Sequence, residues 1–259
     1  MKLQTLVSAV NQDVNQLAQV MNLQSDAIII NQCDENEYTQ YDYHGNTITC
    51  YSFAEKGVGL SRNNGLLRAD SDIILFADED IVYVDGYAQL ILQAFKENQD
   101  ADMLLFNMDV AEDRRTYDTK EKTRIRIYNS GRYPTYSFAI RLERLRKSGT
   151  TFSLLFGGGA KYSNGEDSLF LRECLSHRLK IYALPITIGK EVPRPSTWFS
   201  GYTEKFFFDR GVLYVYLYGK LKYVMALRFL LKHRKLMCET IPVKKAFALM
   251  KVGMKEASK

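Results

Sequence analysis

Short apolar runs alternate with segments of helical periodicity through the first 110 residues of this 259-residue chain. Each apolar run is long enough for a strand and too short for a buried helix of several turns. A chain that alternates in this way folds into layers, with helices that cross over a mainly parallel sheet. The four predicted strands up to residue 77 are LQTLVSAV (3–10), DAIIINQ (26–32), TITCYSF (47–53) and SDIILFA (71–77), ADMLLFNMDV (101–110) follows as a fifth, and the predicted helices lie at 13–22, within 57–69 and at 84–97.

Polar and acidic residues stand where these predicted strands end. Asn11 follows the first strand, Asp34 follows the second, and Asp78, Glu79 and Asp80 follow the fourth. Ligands of open α/β sheets bind beyond the carboxyl ends of the strands. These positions therefore predict a binding site at one rim of the sheet.

Three consecutive carboxylates end the apolar run in DIILFADEDIVY (72–83). Like charges on neighbouring residues repel, so either water solvates this turn or a cation binds there. Carboxylate oxygens suit Mg²⁺ or Mn²⁺, which take few protein ligands and keep positions open for phosphate oxygens. The triplet alone supports both interpretations, because solvated turns carry the same residues.

The second half of the chain has fewer clear signals. Residues 111–150 are charged and show no clear pattern, and EDRRTYDTKEKTRIR (112–126) is predicted to be a surface excursion. The triple glycine at 157–159 predicts a flexible loop, and Ser163 with Glu166 matches a capping box for the helix that follows. KIYALPITI (180–188) is predicted to be the last strand.

The composition changes at residue 203. Residues 203–259 hold 13 Lys and Arg against 4 Asp and Glu, a balance of +9, whereas the whole chain carries +5. Apolar residues recur at helical spacing between these bases, as in a helix that lies in a membrane interface. A helix that packs on the domain and leaves a basic face in water has the same pattern. We therefore divide the chain into an α/β domain (1–202) and a basic helical extension (203–259). The expected partner of the extension is an anionic membrane surface rather than nucleic acid, and its helix faces are also compatible with a homodimer.

The cysteine spacing and the lengths of the apolar segments indicate the cellular compartment that we expect for this protein. Four cysteines show neither paired nor metal-ligand spacing and are predicted to be reduced thiols. The first residues lack the apolar core of a secretory signal, and no window of 18 apolar residues predicts a membrane-spanning helix. We therefore expect a cytoplasmic protein, peripheral on the inner face of the membrane where the extension contacts it.

Three motifs in a fixed order give the chain a resemblance to a known family. The segment RNNG (62–65) opens a helix, Asp78 and Asp80 end the next strand, and the pair ED (166–167) starts a later helix. Over residues 5–195 the order and spacing of these motifs resemble the family 2 glycosyltransferases of GT-A fold. The resemblance implies a Rossmann-like fold for nucleotide-diphospho-sugar transfer, with the C-terminal helices as an extension.

The resemblance also implies an activity and a set of contacts. The enzyme would transfer a sugar from a nucleotide-diphosphate donor to a hydroxyl of a saccharide or lipid-linked saccharide, with inversion of the anomeric configuration. The favoured donor is a UDP-sugar, and the product would belong to cell-surface glycan synthesis. Asp167 would be the general base, and Mn²⁺ or Mg²⁺ on Asp80 and Asp78 would neutralise the departing diphosphate. The other implied contacts are Asn11 and Asp34 for the base, Asp78 and Glu79 for the donor, and Arg62 for the diphosphate or a salt bridge to the acids. Glu166 would cap the helix or orient the acceptor, and Gly158 would let the acceptor approach the backbone or belong to an ordinary surface loop. Trp198 and Arg194 would cover the donor or stack on a sugar.

Two other functions fit parts of the sequence. A Mg²⁺-dependent phosphatase of the haloacid dehalogenase type would use Asp78 as nucleophile and Asp80 as acid. Its motif follows the first strand of a domain, whereas at least three strands are predicted to precede Asp78 here. A non-catalytic GT-A-like module would bind nucleotide or membrane without transfer, and the Glu166-Asp167 pair argues against it.

Overall fold

The structure, a computed structural model, describes residues 1–111, 117–193 and 201–257. Within these ranges the strands are β1 (Leu3–Val10), β2 (Asp26–Gln32), β3 (Glu37–Tyr43), β4 (Asn46–Phe53), β5 (Ile73–Asp78), β6 (Ile81–Tyr83), β7 (Met103–Asp109), β8 (Thr123–Arg124), β9 (Phe138–Arg141) and β10 (Ile181–Glu191). The helices are α1 (Val14–Val20), α2 (Val58–Arg68), α3 (Tyr87–Glu97), α4 (Leu142–Ser148), α5 (Glu166–Ser176), α6 (Glu204–Tyr218), α7 (Lys222–Met237) and α8 (Val243–Glu256). The strands form one mixed sheet in the order β3-β4-β2-β1-β5-β9-β7-β10-β6, and β8 pairs with β10.

The parallel part of the sheet positions the predicted site. β1 pairs in parallel with β2 and with β5, and β2 pairs in parallel with β4. The apolar residues of these strands are buried in two hydrophobic clusters, one on each face of the sheet. Strands that are covered on both faces need continuous apolar runs, which is why the sequence marks them well. Their carboxyl ends meet at one rim.

The sequence analysis missed β3, which forms an antiparallel hairpin with β4. Its side chains are exposed or half-buried, so no apolar run marks the strand. His44 and Gly45 form the turn with φ values of 51° and 79°, the left-handed conformation that a two-residue hairpin loop needs. Because β3 exists, the strand that ends in the acidic triplet is the fifth in the chain, not the fourth.

Residues 111–150, in which the sequence showed no clear pattern, contain a central strand of the sheet. β9 lies in the middle of the sheet and is antiparallel to both β5 and β7. Its residues Phe138, Ala139 and Ile140 are fully buried. This strand has four residues, too few to stand out from the charged sequence around it. Residues 112–116 lie outside the described part of the chain.

The C-terminal helices share a hydrophobic cluster of their own. α6 packs closely on α8, because Gly211 faces the Met250 carbonyl and Gly253 faces the Phe208 carbonyl, each at a place where a Cβ would lie 2.1 Å from the oxygen. α7 is more exposed to solvent than α6 and α8, since two of its 16 residues are buried. None of the helices in the described ranges has both the length and the apolar character needed to cross a bilayer.

Candidate active site

A cavity of about 290 Å³ lies at the carboxyl edge of β1 and β5, between α2 and the start of α5. Seven of the candidate site residues from the sequence line it: Arg62, Asp78, Glu79, Asp80, Gly158, Glu166 and Asp167. The fold thus brings together side chains from three motifs that are far apart in the chain. This convergence could not follow from any one motif.

Arg62 is the cation at the centre of these acids. Its side chain is 5% exposed and forms ion pairs with Asp78 at 3.1 Å, Glu166 at 3.1 Å and Asp167 at 3.4 Å. Burial works to lower the pKa of Arg62, but the three carboxylates outweigh it and hold the pKa above its usual value. Of the two roles that the sequence left open, the structure displays the salt bridge.

Asp167 lies in the first turn of α5, in surroundings that resist its ionisation. Burial is the main cause, the charge of Glu166 adds to it, and together they raise the pKa of Asp167 to about 7. Arg62 and a hydrogen bond donated by the Thr135 hydroxyl oppose this shift. A carboxyl group with a pKa near neutrality is well placed to exchange a proton. The sequence analysis missed Thr135, because no neighbouring motif marks it.

The three acids of the triplet have different surroundings. Asp78 accepts a hydrogen bond from Arg62, while Glu79 accepts one from the Val10 N–H at 3.0 Å. This hydrogen bond joins the ends of β1 and β5. Glu79 therefore stabilises the rim in addition to lining the cavity. Asp80 lines the cavity at the turn into β6.

Glu191 and Tyr136 are ionisable residues of the cavity wall that the sequence analysis did not predict. Glu191 adds another carboxylate, and Tyr136 stands beside it in the wall. Burial, then the charges of Glu191 and the site aspartates, raise the pKa of Tyr136. Its hydroxyl therefore keeps its proton at neutral pH and is a hydrogen-bond donor among acceptors.

The predicted capping box at α5 is wrong. Gly165 occupies the N-cap position with φ of 113° and makes no side-chain cap. The hydroxyl of Ser163 instead donates to Asp209 of α6 at 2.9 Å, and Glu166 pairs with Arg62 rather than with the helix start. A contact to a residue 46 positions away outcompetes the local motif.

The triple glycine is closely packed, contrary to the predicted flexible loop. The Val58 N–H donates to the Gly158 carbonyl at 2.9 Å, at the start of α2. A Cβ on Gly157 would lie 2.7 Å from the Val58 side chain and 2.9 Å from the carboxyl carbon of Glu166. Glycine is needed here so that the loop can approach both helix starts.

The remaining predicted residues lie elsewhere. Asn11 and Asp34 are exposed at the ends of β1 and β2, on the same rim but outside the cavity lining. Arg194 and Trp198 lie outside the described residues. Gln32, which was not predicted, lines the cavity and fixes the start of α2 by accepting from and donating to the backbone of residue 57.

The described residues of this site do not form a complete set of protein ligands for a metal ion. Over the described ranges, no group of three or more His, Cys, Asp or Glu side chains has an arrangement that would hold a metal ion by itself. Any cation at the acidic turn would therefore need ligands from a bound substrate as well.

The sheet order and the rim cavity agree with the GT-A fold that the sequence resemblance implies. The family model for glycosyl transferase family 2 matches residues 4–159, which is more than half of the chain. This protein belongs to that family, and the family resemblance in the sequence is confirmed. The phosphatase interpretation of Asp78 and Asp80 is therefore wrong.

Solved structures agree on the fold. The crystal structure of S. aureus TarS 1–349 in complex with UDP-GlcNAc matches with a TM-score of 0.62 at 16% identity, over 93% of this chain and 74% of that chain. The same fragment with UDP gives a TM-score of 0.60 at 16% identity and the same coverage. S. aureus TarS gives 0.59 at 16% identity, over 91% of this chain and 44% of that one. No curated protein sequence gives a significant match.

Proposed function

We propose that this glycosyltransferase moves a sugar, with inversion, from a UDP-sugar to a hydroxyl of a saccharide or lipid-linked saccharide in cell-surface glycan synthesis. One observation carries the proposal: Asp167 and the acidic triplet line the same cavity. A direct displacement needs a base on one side of the reacting carbon and charge neutralisation on the other. This cavity offers groups for both.

The donor is proposed to lie along the rim. Two of the S. aureus TarS structures contain UDP-GlcNAc and UDP, which supports a uridine diphosphate donor for a chain of the same fold. Asn11 and Asp34 are then the residues nearest to the base end of the rim. Asp78 and Glu79 belong at the ribose and diphosphate.

The acidic turn fits Mg²⁺ or Mn²⁺. Its donors are hard carboxylate oxygens, and Asp80 and Asp78 supply one or two of them at the cavity wall. Mg²⁺ is commonly held by one or two carboxylates together with substrate phosphates, so a closed cluster of ligands is not required. The cation would neutralise charge that grows on the departing diphosphate.

Asp167 is proposed to take the proton of the acceptor hydroxyl while that oxygen attacks the anomeric carbon. Attack from the face opposite the diphosphate inverts the configuration, and one base suffices because the leaving group needs no proton. The Thr135 hydroxyl and Arg62 hold the Asp167 carboxylate in place. Tyr136 is available as a donor to the sugar or phosphate oxygens.

Substitution of Asp80 tests the cation site without turnover. We expect Asp80→Asn to weaken Mn²⁺ binding in the presence of UDP by about tenfold or more, because one anionic ligand becomes neutral. The electron paramagnetic resonance signal of free Mn²⁺, titrated with protein and UDP, measures this. Asp85→Asn is the matched control, because Asp85 is an exposed carboxylate that accepts a hydrogen bond from Asn22 outside the cavity. Equal Mn²⁺ affinities of the two variants would refute the assignment of Asp80.

The proposal that the acceptor is lipid-linked depends on the exposed surface of α7. Val224, Leu227 and Leu231 recur at helical spacing on its solvent side and are 66%, 44% and 51% exposed. The exposed bases around this apolar stripe are Lys220, Arg228, Lys232 and Lys235. Apolar side chains flanked by bases match a helix that lies in the headgroup region of an anionic bilayer. We propose that α7 holds the enzyme peripherally on the inner face of the membrane, beside a lipid-linked acceptor.

Three serine substitutions test this surface. We expect Val224→Ser, Leu227→Ser and Leu231→Ser together to reduce co-sedimentation with phosphatidylglycerol vesicles by about 100-fold in partition coefficient, since each side chain loses on the order of 1 kcal/mol of apolar transfer. Leu67→Ser, at a position that is 77% exposed on α2, should have no effect. Unchanged sedimentation would contradict membrane docking. Loss of a dimer on size exclusion instead would assign the surface to a second copy.

A further inference from the structure

One face of α6 lies along the segment 156–165, which leads into Glu166 and Asp167. Asp209, Leu213 and Tyr216 are separated by four and three positions, so they project from the same side of this helix. Each of the three contacts a residue of the segment. The segment in turn supplies part of the cavity wall through Gly158, Ser163, Asn164 and Gly165. This face of α6 therefore supports the cavity wall from behind.

Asp209 makes the central contact between α6 and this segment. Its side chain is 1% exposed, and its Oδ2 atom accepts hydrogen bonds from both the N–H and the hydroxyl of Ser163, each at 2.9 Å. Lys205, one turn earlier on α6, donates to the same oxygen at 2.6 Å and to the Lys161 carbonyl at 3.1 Å. Hydrogen bonds to an ionised acceptor are stronger than those between neutral groups. Asp209 therefore fixes the backbone at Ser163 relative to α6.

Two further side chains of the same face hold the segment on either side of Ser163. A Cβ on Gly165 would lie 2.5 Å from the Leu213 side chain, so the backbone at Gly165 rests directly on α6. The ring of Tyr216 lies 5.6 Å from that of Phe156 in an edge-on arrangement, which is favourable for two aromatic rings. The segment is thus attached to α6 at both ends and at Ser163.

The position of this segment determines the position of the Asp167 carboxylate. Gly165 is the N-cap of α5, and Asp167 follows two residues later in the first turn of that helix. A shift of the backbone at Ser163 or Gly165 is therefore passed on to Asp167. A displacement of about 1 Å in a reacting group costs on the order of 100-fold in rate. The contacts of α6 consequently bear on catalysis, although Asp209 itself is not part of the cavity lining.

We propose that Asp209 is a positioning residue for Asp167, and that α6 is thereby part of the active site. Asp209 acts through Ser163, since it binds both polar groups of that residue. The composition placed a boundary at residue 202, and the family model matches residues 4–159, so neither marks this helix as a contributor to the site. The inference rests on the proposed function, because it takes Asp167 as the base. The attachment of the segment to α6 does not depend on that assignment.

Titration of the Asp167 carboxyl group tests the positioning without a substrate. Carbon NMR of the full chain with labelled aspartate follows this group, and its resonance is identified by its absence in Asp167→Asn. We expect Asp209→Ala to lower the pKa of Asp167 from about 7 toward the ordinary aspartate range, because burial is the main cause that raises it and a loosened turn admits water. The groups that face Asp167 are chemically the same in this variant, namely Glu166, Arg62, Asp78, Thr135 and Tyr136.

Three further variants separate positioning from stability. Glu204→Ala removes an exposed carboxylate of the same helix, which pairs with Lys245 of α8, and should leave the titration of Asp167 unchanged. Asp209→Asn keeps an oxygen that accepts from Ser163 and should lie between the wild type and Asp209→Ala. Ser163→Ala keeps the N–H bond but loses the hydroxyl bond. It should shift the pKa in the same direction, and it replaces Asp209→Ala if that variant does not fold.

Turnover provides the second measurement. We expect Asp209→Ala to lower the release of UDP from UDP-GlcNAc by about 100-fold, while its affinity for UDP stays that of the wild type. An unchanged titration of Asp167 in Asp209→Ala overturns the proposal, even where stability in urea is lost, and so does an equal shift in Glu204→Ala. Undiminished turnover in Asp209→Ala overturns it as well. If instead Asp167→Asn turns over as the wild type does, the proposed base is wrong, whereas a pKa shift specific to Asp209→Ala still shows that α6 positions Asp167.

Discussion

Replacing Asp167 with Asn lowers sugar transfer by roughly 10²- to 10⁴-fold, the usual contribution of a general base, while the donor still binds. Asparagine has nearly the same shape and still accepts from Thr135, so the cavity wall is preserved. It cannot accept the acceptor proton at neutral pH. Transfer is measured as nucleotide release that depends on the acceptor, and donor binding by titration with UDP. Asp118→Asn, an exposed carboxylate, is the matched control and should behave as the wild type.

The pH dependence of sugar transfer by the wild type provides a second test of Asp167 as the base. The base must be ionised to act, and burial with the charge of Glu166 raises the pKa of Asp167 to about 7. Transfer should therefore rise with pH through neutrality. In Asp167→Asn the residual transfer should lack this rise. Undiminished transfer in the variant would refute the assignment of the base, and transfer by either protein would exclude a non-catalytic module.

The same carboxyl group links pH to stability. The folded state holds the Asp167 proton to a higher pH than the unfolded chain does, because the pKa is raised on folding. Between the ordinary aspartate range and about pH 7, the folded state therefore binds more protons. The contribution of Asp167 to the free energy of unfolding consequently falls as the pH rises through this window. Asp167→Asn should lack that component.

The sequence predicted those parts of the fold that have local causes. β1, β2 and β5 are covered on both faces, so their residues are apolar without interruption, and the acids that follow them mark the rim. Helix spacing alone sufficed to predict α1 and α3. The family motifs then placed Arg62, the triplet and Asp167 in one site, and the cavity brings them together.

The parts that the sequence did not predict depend on distant partners. β9 is a strand because β5 and β7 pair with it from both sides, and β3 is a strand because β4 pairs with it. The capping motif at Ser163 failed because Asp209 takes its hydroxyl. Thr135 reaches Asp167 across 32 positions of the chain. Local pattern cannot reveal contacts that only the folded chain creates.

Replacing Arg62 with Met should lower the free energy of unfolding at neutral pH by about 3–5 kcal/mol, the range for removing one partner of a buried ion pair. Three carboxylates that now face one guanidinium would face one another instead. The loss should shrink in acid, because protonation of the carboxyl groups relieves their repulsion. Urea unfolding at several pH values measures both effects. Arg68→Met is the control, since Arg68 of the same helix bonds Asn64, stacks on Tyr51 and pairs with no carboxylate of the described residues.

The double variant Arg62→Met with Asp167→Asn decides what Arg62 does. If its main role is to neutralise the acids, removing one acid should restore part of the stability lost in Arg62→Met, because fewer like charges remain. Arg62 also opposes the raised pKa of Asp167, so Arg62→Met alone should move the rise in transfer to higher pH. Full stability of Arg62→Met together with weaker UDP binding would contradict this role. Arg62 would then be the cation for the diphosphate, and its three ion pairs would be the resting arrangement that the donor replaces.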